Sequence, residues 1–197
     1  MDRDETSKLA GLILAGGEGS RFGGPKAWAR LPDGRSFLEA CATTLREAGA
    51  SPIVATLPPG SPDPGIEGLQ SLPLPERGLD MFTSLLIGVR SLSGDPDWQR
   101  LAVLPVDHPL VRPGTVRELA AARGEAAVPS FDSKHGHPVC LSRSLVDQLK
   151  FGELEGRNLR EALRSVARVD VRVDDPGVIA NCNTPAALAA ALEGARL

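Results

Sequence analysis

Residues 14–26 read LAGGEGSRFGGPK: five glycines interleaved with Arg21 and Lys26, directly after the apolar run LAGLILA (9–15). A second apolar run, LAVLPV (101–106), ends on Asp107. Bare backbone N–H groups in a glycine loop form concave nests that bind anions, and Arg and Lys add full positive charge. A carboxylate at a strand end can hold Mg²⁺, which takes one or two protein carboxylates and fills its shell with phosphates and water. Together these residue types are suited to binding a polyphosphate and neutralising it. Two common phosphate motifs are excluded. The dinucleotide fingerprint G-x-G-x-x-G fails because Phe22 stands where its third glycine belongs, and the P-loop pattern fails because Pro25 separates Gly24 from Lys26. The competing reading of Asp107 is a turn or capping aspartate ahead of Pro109.

These residues need a scaffold that brings strand ends together. Apolar runs alternate with helix-period segments, which predicts an α/β domain with buried parallel strands and a ligand crevice beyond their carboxyl ends. Strands are expected at 9–15, 51–57 and 101–106, with shorter ones in EAAVPSF (125–131) and HPVCLSR (137–143) around a polar hairpin-like stretch. Ser36 and Glu39 form a capping-box pattern ahead of Leu38, Cys41, Ala42 and Leu45. Leu79, Phe82, Leu85, Leu86 and Val89 follow a helical period, and Pro113 opens a further helix to about Ala122. NLREALRSV (158–166) reads as a helix, RVDVRV (168–173) as an alternating strand, and Thr184-Pro185 as the start of a last helix. No repeat, low-complexity tail or second domain is evident, so residues 1–197 are expected to form one domain.

Composition narrows the function classes. The 197 residues are 42% hydrophobic and 24% charged, with net charge −3 and no dense Lys/Arg run, which argues against nucleic-acid or membrane partners. MDRDETSK is polar and precedes no signal-length apolar segment, and Cys41, Cys140 and Cys182 are too widely spaced for a disulfide framework or zinc knuckle. A cytoplasmic location is expected. His108, His135 and His137 with Cys140 fit no common zinc spacing.

LAGGEGSRFGGPK resembles the L-A-[AG]-G-x-x-x-R-[FM]-G-x-x-K signature of enzymes that move a nucleoside monophosphate onto a phosphorylated acceptor. GLDMFTSLLIG (78–88), LPVDHPLV (104–111), GHPVCLSR (136–143) and NCNTPAAL (181–188) are similar, in order, to segments of the molybdenum-cofactor nucleotidyltransferases and their MobA/MocA-like relatives. The resemblance spans nearly the whole chain. It implies a Rossmann-like three-layer α/β/α sandwich with a mostly parallel mixed sheet. It also implies that Leu14, Ala15, Gly16, Gly17 and Gly19 cradle the nucleotide, with Arg21 and Lys26 on the triphosphate and Ser84 near the base. Asp107 would bind Mg²⁺, and Asn183 stands where relatives often carry a second metal-binding Asp. Capping the last helix is the other job open to the NCNT segment. His137, in GHP, falls on the acceptor side, with a structural role as the alternative, and Arg157 is an acceptor-site candidate from a segment of imperfect register.

The chemistry agrees with the resemblance. A phosphate acceptor is already ionised at neutral pH, so its attack on an α-phosphate needs alignment and charge neutralisation, not a general base. Gly16 makes the motif LAGG, which in relatives goes with purine nucleotides, whereas GHP resembles the cytidylyltransferase side; GTP and CTP both stay open. The implied acceptor is molybdopterin, with a molybdoenzyme or its chaperone as protein partner. The alternatives are a sugar-1-phosphate nucleotidyltransferase, usually a longer chain, and a non-catalytic nucleotide or cofactor carrier, which would have no use for a metal-binding carboxylate beside Arg21 and Lys26.

Overall fold

The structure, a computed structural model, describes residues 8–17, 19, 22–92, 97–152 and 158–194. Eight strands form one sheet: β1 (Leu9–Leu14), β2 (Ala50–Leu57), β3 (Leu69–Pro73), β4 (Arg100–Pro105), β5 (Ala126–Phe131), β6 (Lys134–His135), β7 (Val139–Ser142) and β8 (Arg168–Arg172). β1 lies between β2 and β4, parallel to both, and β3 is parallel to β2. β7 runs antiparallel between β4 and β5, while β8 is parallel to β5, so the sheet is mixed but mostly parallel, as expected. β6 and β7 form one broken strand. Between the pairs Ala127–Cys140 and Ser130–His135, β5 advances three residues and the returning chain five. The surplus bulges out at Gly136-His137-Pro138.

Side-chain alternation along β1 separates two cores. Leu9 and Ile13 pack with Phe37, Cys41 and Leu45 of α1 (Phe37–Glu47) and Val116 and Leu119 of α3 (Pro113–Ala121). Ala10, Leu12 and Leu14 face the other way, onto Leu85 and Val89 of α2 (Met81–Ser91) and Leu145 and Leu149 of α4 (Arg143–Phe151). Helices thus cover both faces, giving the three-layer sandwich. β1 is buried along its length because of this double cover, and each fully buried Leu or Ile contributes about 1.5–3 kcal/mol. The capping box of α1 forms as expected: Glu39 N–H donates to Ser36 Oγ, and Ser36 N–H to the Glu39 carboxylate.

Four local expectations change. α2 begins at Met81, two residues after Leu79, because Asp80 caps it by accepting from the Phe82 and Thr83 N–H groups. NLREALRSV yields only α5 (Leu159–Ala162) and a 3₁₀ turn (Leu163–Ser165). HPVCLSR ends as a strand at Ser142, whose hydroxyl caps α4, a helix absent from the sequence reading. β3 was also not anticipated; it is an edge strand with three of its five residues exposed, and so lacks a buried apolar run. The last helix, α6 (Pro185–Gly194), starts where Thr184-Pro185 indicated.

Candidate active site

The carboxyl ends of β1 and β4 sit side by side. Val106 N–H donates to the Leu14 carbonyl at 3.1 Å, continuing the β1–β4 ladder one step, so Asp107 emerges next to the glycine loop. The loop turns sharply at Gly19, with φ +61°. A Cβ there would lie 1.9 Å from the Gly24 carbonyl oxygen, so no other residue fits this closed turn. The loop then delivers Lys26 on a short 3₁₀ turn (Lys26–Trp28) anchored by buried Ala27.

Lys26 Nζ lies 3.1 Å from Asp107 Oδ2 and also donates to Asn183 Oδ1. The Asp107 carbonyl in turn accepts from Cys182 N–H at 2.8 Å, which pins the segment that presents Asn183. Capping falls to Thr184, whose Oγ1 accepts from Ala187 N–H at 3.1 Å. The two jobs open to NCNT are therefore divided between neighbours, leaving the Asn183 amide facing the strand end. One carboxylate and one amide oxygen converge on a single cation, the ammonium of Lys26. That donor pair fits an Mg²⁺ that relies on phosphates and water for the rest of its shell. Among the described residues, no group of three or more His, Cys, Asp or Glu is placed to hold a metal by itself.

A cavity of about 290 Å³ opens here, with Leu14, Gly16, Gly17, Gly19, Lys26 and Asp107 among its walls, together with Ser84. Ala15 departs from the expected cradle. It does not line this cavity, its side chain is in the core and its N–H donates to the Thr56 carbonyl at 3.1 Å. Ser84 is buried, with its hydroxyl donating to the Asp80 carbonyl at 3.0 Å. Arg21 and Arg157 lie outside the described residues.

A larger cavity, about 600 Å³, adjoins the first, and the two share Leu14, Met81 and Pro105. His137 is on its wall. Its position follows from Gly136: a Cβ there would come within 2.0 Å of the Val178 carbonyl oxygen, the same oxygen that accepts from His137 N–H at 2.9 Å. The His137 ring meets that of His108 edge to face, centroids 4.9 Å apart. Burial, with a smaller contribution in the same sense from neighbouring His108, lowers the pKa of His137 to about 4. His108 is also lowered by burial, so at neutral pH both rings are neutral. Among the described residues, His137 Nδ1 is buried without a hydrogen-bond partner. The zinc set does not assemble, because His135 pairs with Asp170 and Cys140 packs into the core on the opposite face of the sheet.

Sequence reading did not anticipate Met81 between the two cavities, or Lys134, His135, Arg160 and Arg168 around the larger one. The only hint was the alternation in RVDVRV, which puts Arg168 and Asp170 on one exposed face.

A sequence model of the family described as "MobA-like NTP transferase domain" matches residues 11–171. A molybdenum cofactor guanylyltransferase from Xanthomonas euvesicatoria is 32% identical over 184 residues, covering 89% of each chain. One from Acidiphilium cryptum is 32% identical over 204 residues, covering 95% of this chain and 96% of its own. In fold, a nucleotidyl transferase from Methanothermobacter superposes with a TM-score of 0.74 at 22% identity, covering 96% of this chain and 98% of the other.

Proposed function

The chain belongs to the MobA-like NTP transferase family, and from that premise we propose that it transfers GMP from GTP to the terminal phosphate of molybdopterin, releasing pyrophosphate. The observation that carries this reading is the meeting of the glycine loop, Lys26, Asp107 and Asn183 at one strand end, beside a second cavity that shares Leu14, Met81 and Pro105 with the first. A carrier would need only one such compartment and no paired metal oxygens. The choice of GTP over CTP rests on the guanylyltransferase relatives and on the LAGG form of the loop. Among the described residues, no helix is long and apolar enough to cross a membrane.

In this mechanism, backbone N–H groups from Gly16 onward cradle the triphosphate and Lys26 leaves Asp107 to meet its oxygens. Asp107 and Asn183 would hold Mg²⁺, which supplies Lewis-acid neutralisation of the α-phosphate and the leaving group. An oxygen of the acceptor phosphate, already ionised, bonds to the α-phosphorus. The bond from that phosphorus to the α–β bridging oxygen breaks, and its electron pair departs on pyrophosphate. No proton need move, consistent with neutral His108 and His137. Pyrophosphate release measured with molybdopterin and each common NTP tests this. GTP should be preferred; preference for CTP, or turnover only with a sugar 1-phosphate, overturns it.

A further inference from the structure

The described residues carry three cysteine thiols and one methionine thioether, and only the thioether is exposed. Cys41, Cys140 and Cys182 are each 0% exposed. Burial pushes the Cys140 thiol up to about 12 and the Cys41 thiol in the same direction, so the thiolates that oxidants attack are withheld. Met81, by contrast, is 59% exposed and belongs to neither apolar core. Of the three residues common to both cavities, Leu14 is 8% exposed and Pro105 is buried, which leaves Met81 as the part of the shared wall that stands outside the core. It opens α2, where Asp80 caps the backbone, and helical side chains lean toward the amino end of their helix. The thioether thus overhangs the boundary between the two cavities.

Resting on the nucleotidyl-transfer reading, we propose that Met81 is an oxidative modification site whose state sets acceptor binding. The co-reactant is a two-electron oxidant of the peroxide class. A lone pair on the sulfur bonds to one peroxide oxygen, the O–O bond breaks, and its electron pair leaves as hydroxide. That hydroxide takes the proton from the transferred oxygen and becomes water. The sulfur is oxidised by two electrons to the sulfoxide, and the peroxide is reduced. A thioether is flexible and apolar, whereas a sulfoxide is polar and accepts hydrogen bonds. The side chains of Leu14 and Pro105 offer it no donor. Beyond a basic rim of Lys134, Arg160 and Arg168, the larger cavity presents apolar groups such as Phe82 and Leu85. The new oxygen therefore either stays on that wall unpartnered or swings into solvent and takes the wall with it. Nucleotide binding suffers less, because under the same reading the glycine loop and Lys26 hold the triphosphate without the thioether. A thiol-dependent sulfoxide reductase reverses the change, returning the thioether with a disulfide and water as by-products.

The test treats the full chain with hydrogen peroxide and follows peptide masses. Met1 and Met81 are the only methionines, so an oxygen gained at Met81 is assigned without ambiguity. The Met81 peptide should gain its oxygen before any cysteine does, and Mg²⁺–GTP should slow the gain. In the oxidised wild type the KM for molybdopterin should rise at least about fivefold, the effect of one unpartnered polar group, while GTP affinity changes by less than about twofold. Methionine sulfoxide reductase with a thiol should restore the starting KM. Met81→Leu, compared with its own untreated control, should show no change in KM on peroxide treatment. A cysteine oxidised first, an unchanged acceptor KM in the oxidised wild type, or an equal rise in treated Met81→Leu overturns the proposal. No transfer by the untreated enzyme would sink the proposed function instead. In that case slowing of Met81 oxidation by GTP still supports the modification site, and oxidation that GTP leaves unslowed overturns it.

Discussion

Lys26 and Asp107 form an ion pair at 3.1 Å, and the same ammonium donates to Asn183, so one side chain covers both oxygens expected to face the metal. The pair is largely shielded, with side chains 19% and 15% exposed, so its Coulomb energy is less screened than that of a surface pair. The Asp107 carboxylate is thus balanced by an internal cation. Under the proposed function, free metal would have to displace that ammonium, whereas a metal–nucleotide complex would offer it phosphate oxygens in exchange.

This relationship predicts opposite effects of Lys26→Met on two ligands. Affinity for free Mn²⁺, measured by electron paramagnetic resonance, should rise several-fold because the competing cation is gone. GTP affinity should fall, and turnover should fall more, by about 10²–10³-fold, the loss typical for one preorganised charge. Weaker Mn²⁺ binding in the variant would show that Lys26 supports the metal site rather than guarding it.

Asp107→Asn should reduce turnover by a similar factor of about 10²–10³ at saturating Mg²⁺. Because Asp107 follows β4 at the sheet edge and is not in either apolar core, the melting temperature should change by only a few degrees. Activity within a few-fold of wild type would remove Asp107 from the metal site.

Gly19→Ala tests the loop. With φ at +61° and a Cβ 1.9 Å from the Gly24 oxygen, alanine must open the turn that delivers Lys26. GTP binding by calorimetry should weaken at least tenfold, while far-ultraviolet circular dichroism stays that of the wild type. Unchanged GTP binding would mean the loop does not hold the triphosphate.

His137 makes a pH prediction. Its folded pKa, near 4, is below the unfolded value near 6.5, so the unfolded chain binds more protons between these limits. The stability that this neutral ring contributes is present above about pH 6.5 and is lost as pH falls through about 4. His137→Ala should flatten the decline of melting temperature across that window. It should also raise the KM for the acceptor more than that for GTP. A decline as steep as wild type, with both KM values unchanged, would make the ring a bystander.

How legible the molecule was in its sequence depended on locality. The β1–loop junction, the Ser36–Glu39 capping box and the Thr184-Pro185 helix start are written in adjacent residues, and all three appear in the structure. Asp107 and Lys26 could be recognised singly, but their pairing depends on the β1–β4 ladder and on the Cys182–Asp107 backbone bond, which bring distant segments together. The basic rim was not legible, because Arg168 and His135 meet only through Asp170 across the β5–β8 and β5–β6 pairings. β3 was missed because an edge strand needs no buried run, and α4 because its Leu145, Val146 and Leu149 follow a strand with no turn residue between them.

The central claim is nucleotidyl transfer at the α-phosphate, and labelled GTP tests it most directly. The enzyme would be incubated with molybdopterin, Mg²⁺ and GTP carrying ³²P at either the α or the γ position. The account predicts that α-label moves onto the pterin product while γ-label leaves in pyrophosphate, in equal amounts. Gamma-label on the acceptor, or release of orthophosphate with no label on the pterin, would contradict it.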